Sequence, residues 1–422
     1  MADWTAQVFQ NEYLPDGATD IHAIVTVTSQ GTGHAGESGG AAEAIIIDCS
    51  GSMGAPQTKI IAARQAGAAA IDEIADGTWF AVIAGVGLAR PVYPQTGMVQ
   101  ADGRTRDAAK DAVRQLTPQG GTAIGQWLRT AYEHFQAAPA TQRHAILLTD
   151  GKNEGESARQ LRTAVDTVTG EFQCDCRGVG ADWDVNELRG IASALLGTVD
   201  LIADPADMAA DFQAMMQAAM GRGVADAKLK VWAPQGAELL FVRQVAPTIE
   251  ELTDRRVNVT PLITEYPTGA WGDESRDYHV AVRVAAKPIG AEQLVARVQL
   301  DVAGQVVTQA LVKAMWSDQT ELTTRINPAV AHYTGQAELA EAIQEGLAAK
   351  AAGDTDTATF KLGRAAQLAA QTGNAEASQR LAKVVDIEDA GTGTVRLKRD
   401  VSKLDEMALD TSSTKTSRVR PS

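Results

Sequence analysis

The apolar residues change rhythm three times along the chain. Between residues 41 and 222, short continuous apolar runs alternate with stretches in which apolar side chains recur every three or four positions. Buried parallel strands separated by helices produce that pattern. The clearest strands are Ile45-Ile46-Ile47 and Ala145-Ile146-Leu147-Leu148, joined by Trp79 to Val86, Glu171 to Gly178 and Val199 to Ile202. Helices are expected over Ile60 to Ala75, Asp107 to Gln115, Ile124 to Ala137, Val185 to Leu196 and Met208 to Met220. Past residue 223 the rhythm becomes an apolar-polar alternation broken by Pro, Gly and charge, running from Lys228 to Trp232 through Gln305 to Val312. Strands at such spacing predict an antiparallel β-sandwich.

One strand, Ile21 to Thr28, stands apart, ahead of a glycine-rich loop from Gln30 to Gly40. It is expected to join the sandwich, which makes 41–222 an insertion. Addition to the parallel sheet is the alternative. From Pro328 the pattern is helical, over Ala337 to Ala351, Asp354 to Gln371 and Ala375 to Val385, with Gly353-Asp354 and Gly373-Asn374 as stops. The polar stretch that follows has little apolar surface and reads as a disordered tail. The fold class is therefore multidomain, α/β then β then α: an N-terminal β segment (1–40), a doubly wound, mainly parallel α/β domain (41–222), a β-sandwich (223–320), a helical hairpin or bundle (321–389) and a tail (390–422).

Chemistry gathers where the buried runs stop. Ile45-Ile46-Ile47 empties into Asp48-Cys49-Ser50-Gly51-Ser52, and the second run delivers Thr149-Asp150-Gly151. Between them, Gly121-Thr122 supplies a hydroxyl just before a helix. Ligands of open α/β sheets bind at the carboxyl ends of the strands. Carboxylates and hydroxyls together suit a hard divalent cation that keeps some of its water.

Asp48-x-Ser50-x-Ser52, Gly121-Thr122 and Thr149-Asp150-Gly151 resemble the three-part metal-ion-dependent adhesion site of von Willebrand factor type A domains, with no motif position missing. The resemblance spans roughly Ala41 to Arg222. It implies that Ser50, Ser52 and Thr122 contact the metal directly and that Asp48 and Asp150 hold it directly or through water. Mg²⁺ is the implied metal, with Mn²⁺ or Ca²⁺ as substitutes, and an exposed Asp or Glu of a protein partner would fill the remaining position. The layout of the whole chain also resembles cytosolic bacterial members of the family, in particular actinobacterial ones that accompany Ser/Thr kinases, phosphatases and phosphothreonine-binding FHA proteins. On that resemblance Thr411, Thr414 and Thr416, close to Arg418 and Arg420, are candidate phosphorylation sites.

Composition narrows the function further. A formal net charge of −15 over 422 residues argues against a nucleic-acid binder. Cys49, Cys174 and Cys176 are too few for a disulfide framework, and no apolar run is long enough for a membrane span, so a cytoplasmic protein is expected. Gly36-x-Ser38-x-Gly40 has the spacing of a hydrolase elbow but precedes its strand instead of following it. Gly85-Val86-Gly87 lacks the rest of a dinucleotide fingerprint, no phosphate-binding G-x-x-x-x-G-K-[ST] occurs, and the six histidines form no ligand or triad spacing. The expected role is a non-enzymatic scaffold. An accessory subunit of an AAA+ ATPase or chelatase and a metal-dependent hydrolase are the alternatives. Glu43, Lys152, Asn153 and Glu154 are expected near the site, either recognising a ligand or solvating its rim.

Overall fold

The computed structural model describes residues 2–35 and 40–418. Most of the Gly36-x-Ser38-x-Gly40 match, and Arg420, lie outside the described residues. The chain divides into two compact units, one of residues 32–225 with 269–272, the other of the remainder.

The first unit is built on a seven-stranded sheet. In spatial order its main strands are Val199–Ile202, Gln173–Val179, Gln142–Thr149, Ala41–Asp48 and Trp79–Gly85, all parallel. Two short antiparallel strands, Arg90–Tyr93 and Val99–Gln100, pair with the last of these. The central strand Ala41–Asp48 is buried along its whole length because both of its faces are covered. Ile45 and Ile47 share a core with Ile71 of the helix Thr58–Glu73 and Phe212 of the helix Met208–Met220. The helix Ile124–Gln136 buries Trp127, Leu128 and Phe135. Gly85 is required for this packing, since a Cβ there would lie 2.7 Å from the Trp127 ring. One helix, Ala158–Val168, was not anticipated, although Ser157 and Gln160 form a capping box at its start and Leu161, Ala164 and Val168 supply its buried face.

The second unit contains two larger sheets, almost wholly antiparallel. The strand Asp20–Gln30 pairs with Asp3–Gln10 on one side and Ser275–Arg283 on the other, in a five-stranded sheet. A six-stranded sheet runs from Val257–Thr260 through Ile263–Trp271, Val224–Trp232, Glu292–Val302 and Gln305–Trp316 to Tyr13–Leu14. The strand Asp20–Gln30 thus pairs with one strand from beyond residue 226, Ser275–Arg283, and not with the parallel sheet. Asp3–Gln10 and Ile263–Trp271 were not anticipated.

The helices Pro328–Ala351, Thr355–Gln371 and Ala375–Val384 are each started by a side-chain cap, from Asn327, Asp354 and Asn374. The disordered tail expected over 390–422 is corrected by the structure for its described part, which ends at residue 418. Thr394–Leu397 pairs with Val385–Asp389 in a hairpin, and Ser402 caps a last helix, Lys403–Ser412. Val395 and Leu409 enter the same core as Leu362 and Leu381. A few apolar residues at the right spacing were enough, because an existing helical core received them. Beyond that helix Thr416 Oγ1 donates to the Val245 carbonyl at 2.6 Å, and Thr411 is buried.

Candidate metal centre

The Asp48 strand and the Thr149 strand are neighbours in register, Ile47 lying opposite Leu148. Both therefore end at the same edge of the sheet, and their loops meet. Asp48 is held from two sides: the Ser50 backbone N–H donates to Oδ1 at 2.7 Å and Thr149 Oγ1 donates to Oδ2 at 2.6 Å. Ser50 Oγ and Ser52 Oγ share a hydrogen bond of 2.9 Å, and Ser52 Oγ donates onward to Asp150 Oδ1 at 2.6 Å. A Cβ placed on Gly151 would lie 3.5 Å from Ser52 Oγ and 3.6 Å from Thr122 Oγ1, so the Thr122 hydroxyl borders the same space. Asp48, Ser50, Ser52, Thr122 and Asp150 are thus gathered at one point. Ser52 is exposed, whereas both carboxylates are buried.

The loops are laced by their backbones. Gly51 N–H donates to the Gly120 carbonyl at 3.0 Å, and Gln119 N–H to the Cys49 carbonyl at 2.7 Å. Gly120 has φ +72, a left-handed conformation that glycine adopts without a Cβ clash. Gly155 N–H donates to the Thr122 carbonyl at 2.7 Å, while Asn153 Oδ1 accepts from the Ile124 N–H at 2.8 Å. Asn153 and Glu156 together satisfy amides at the start of the helix that follows Thr122, which fastens the Asp150 loop to the Thr122 loop.

Burial dominates the electrostatics. It pushes the Asp48 carboxyl up to about 6, against the opposing hydrogen bonds from Thr149 and Ser50. It also pushes the Cys49 thiol up to about 12. The loop's one soft donor is therefore kept protonated and buried, and the donors that converge are all oxygen. Among the described residues no group of three or more His, Cys, Asp or Glu is placed to hold a metal. A cation here would depend on the hydroxyls as much as on Asp48 and Asp150. That donor chemistry fits a hard divalent ion of the Mg²⁺ type and does not favour a thiophilic one.

A family model described as von Willebrand factor type A domain matches residues 43–201, and one described as von Willebrand factor type A C-terminal domain matches 367–413. A solved von Willebrand factor type A protein from Catenulispora acidiphila is 49% identical, with TM-score 0.94, over 99% of this chain and 97% of that one. The chain belongs to the von Willebrand factor type A family. The crystal structure of the ArnB paralog VWA2 from Sulfolobus acidocaldarius, 14% identical over 98% of each chain with TM-score 0.58, shares the fold. No curated protein matches. The C-terminal family match covers much of the stretch whose disorder the structure corrects.

The four flanking residues of this von Willebrand factor type A domain fall out differently. Asn153 is a structural clamp, and Lys152 and Glu154 lie exposed beside it. Glu43 is remote, five residues before Asp48 on an extended strand and so roughly 16 Å away. There Glu43 Oε2 meets His144 Nδ1 at 2.7 Å, and His144 Nε2 meets Asp175 Oδ2 at 2.9 Å. Arg222 lies 3.7 Å from the same Asp175 oxygen. Burial alone would lower the His144 pKa, but the Glu43 charge and the bonds to both carboxylates outweigh it and push it up to about 9. Two residues bear on the candidate site without being among its expected ligands, Thr149 from within the motif and Lys59 from outside it. Thr149 bonds Asp48, and Lys59 Nζ lies 2.6 Å from Asp150 Oδ2. Only the position of Lys59 in the first turn of the helix after Ser52 hinted at its reach.

Proposed function

We propose that this protein is a divalent-cation-dependent protein-binding module, a scaffold and not an enzyme. Ser50, Ser52 and Thr122 hold Mg²⁺ directly, Asp48 and Asp150 hold it directly or through water, and an Asp or Glu of a partner completes its shell. The observation that carries this reading is the hydrogen-bonded chain Ser50–Ser52–Asp150, closed against the Thr149–Asp48 pair at an exposed loop edge. Domains of this family commonly serve as metal-dependent interaction modules, and the 49% identical relative belongs to it. The chain's own residues supply orientation: Thr149 and the Ser50 amide fix the Asp48 carboxylate, and the Asn153 clamp fixes Thr122 against Asp150. The metal supplies a positive centre for a carboxylate. A cytoplasmic setting is supported by three buried, unpaired cysteines and by the finding that no helix among the described residues is long and apolar enough to cross a membrane.

The test is a pulldown from lysate with wild type and Asp150→Ala, each with Mg²⁺ and with EDTA. Partners retained only by wild type with Mg²⁺ support the reading. Identical partner sets in all four samples overturn it, as would Mg²⁺-stimulated turnover of a phosphoester that Asp150→Ala lacks.

A further inference from the structure

Asp150 is fully buried, and both of its oxygens are engaged, one by Ser52 Oγ and the other by the ammonium of Lys59. The lysine stem is itself largely buried, its side chain 13% exposed, so this pair does not drift freely on the surface. Lys59 sits at the second residue of the helix Thr58–Glu73, and the helix packs through Ile60, Ala63 and Ile71 into the core beneath the Asp48 strand. The charge is therefore delivered by a rigid element to a carboxylate of the candidate metal centre.

Resting on the metal-binding reading above, we infer that Lys59 decides what the loaded site attracts. Its ammonium turns a metal centre that would be neutral into a cationic one, and it does so by weakening the hold on the metal itself. The charges in direct contact are few. Asp48 and Asp150 contribute two negative charges and Lys59 one positive, so the metal-free site carries one net negative charge and repels a carboxylate. A divalent cation raises the sum to one positive charge. Without Lys59 the same addition ends at zero, and the loaded centre attracts an anion less strongly. Arg64 and Arg90 act at longer range on the adjoining Cys49, equally in both states, and so do not alter the difference.

Lys59 thereby couples two affinities with opposite signs. It repels the divalent cation and attracts the anion, both at the short range where charges in a partly buried site interact strongly. Anion capture is conditional on metal with or without the lysine, and Lys59 raises its strength once the metal is bound. The ligand chemistry this favours is a singly charged carboxylate, as on an Asp or Glu side chain, in preference to a neutral oxygen donor.

The experiment uses the full chain with Mn²⁺ as the metal probe and acetate as the carboxylate probe. Mn²⁺ affinity is read from the free-ion electron paramagnetic resonance signal. Displacement of metal-bound water by acetate is read from water-proton relaxation. Wild type, Lys59→Met, Lys59→Arg and Asp150→Ala are compared. Lys59→Met is expected to bind Mn²⁺ about tenfold more tightly yet to need about tenfold more acetate, and Lys59→Arg to return both constants towards wild type. A packing role for the lysine would weaken both affinities together and would not be rescued by arginine. Either that result, or two unchanged constants in Lys59→Met, overturns the inference while leaving the metal site standing. Wild type that binds Mn²⁺ no better than Asp150→Ala overturns the metal reading and this inference with it.

Discussion

The two ends of one parallel sheet hold the same raw material in opposite conditions. At the amino ends of the strands, Glu43 and Asp175 are buried against His144 and Arg222, so two negative charges face two positive ones supplied by the protein. At the carboxyl ends, Asp48 and Asp150 are equally buried but face the hydroxyls of Ser50, Ser52, Thr122 and Thr149 and the ammonium of Lys59. The strand Ala41–Asp48 contributes a carboxylate to each end. Buried acid alone is therefore no mark of a site. A site is where the protein stops short of neutralising what it has buried, and where that shortfall lies beside an exposed loop.

The contrast is broken most directly at the closed end. His144→Ala leaves Glu43 and Asp175 buried without their central cation, and a broken buried ion cluster costs about 3–5 kcal/mol. Urea unfolding should show that loss, with no dependence on Mg²⁺. A change under 1 kcal/mol would mean that the two ends are not different in kind. The pH dependence sharpens the point. Because the folded His144 pKa is raised from 6.5 to about 9, its stabilisation is complete below pH 6.5 and is lost as the pH rises through about 9. The stability gap between wild type and His144→Gln should narrow across that window.

At the open end the sign reverses. Burial raises the Asp48 pKa from 3.8 to about 6, so its ionisation opposes folding increasingly from pH 3.8 upward and fully above about 6. Asp48→Asn should then be more stable than wild type in EDTA at pH 7, by up to roughly 3 kcal/mol, and should lose the stabilisation that Mg²⁺ gives wild type. A destabilised Asp48→Asn in EDTA would place Asp48 among the structural carboxylates with Glu43. The smallest effect is expected for Asp150→Ala without metal. Once Asp150 is gone, the long Lys59 side chain, already partly exposed, can carry its ammonium to solvent, so metal-free stability should change by about 1 kcal/mol or less while the Mg²⁺-induced rise in melting temperature disappears. Differential scanning fluorimetry with and without EDTA reads both quantities.

Much of the architecture could be read from rhythm. Ile45-Ile46-Ile47 and Ala145 to Leu148 announced buried strands because a continuous apolar run ended abruptly in polar residues; four of the five candidate ligands stand at those endings, Thr122 stands ahead of a helix, and the family resemblance joined them into one set. The helix Ala158–Val168 was legible too, in Ser157 and Gln160, but its polar exposed face hid it. The last helix escaped for a different reason. Its own composition cannot justify folding, and the core that admits Leu409 is assembled by Leu362 and Leu381 from earlier in the chain.

Side-chain type and order were enough to place oxygen donors at strand ends and to say what kind of ion they suit, because strands and helices are read locally and ligand chemistry is intrinsic to each residue. Which carboxylates acquire a cation of the protein's own was settled by folding. Glu43 meets His144 across 101 positions of sequence and Lys59 meets Asp150 across 91, and charge interaction depends on separation in space. The chain's order carries no record of that distance until the strands have paired and the helix of Lys59 has packed against them.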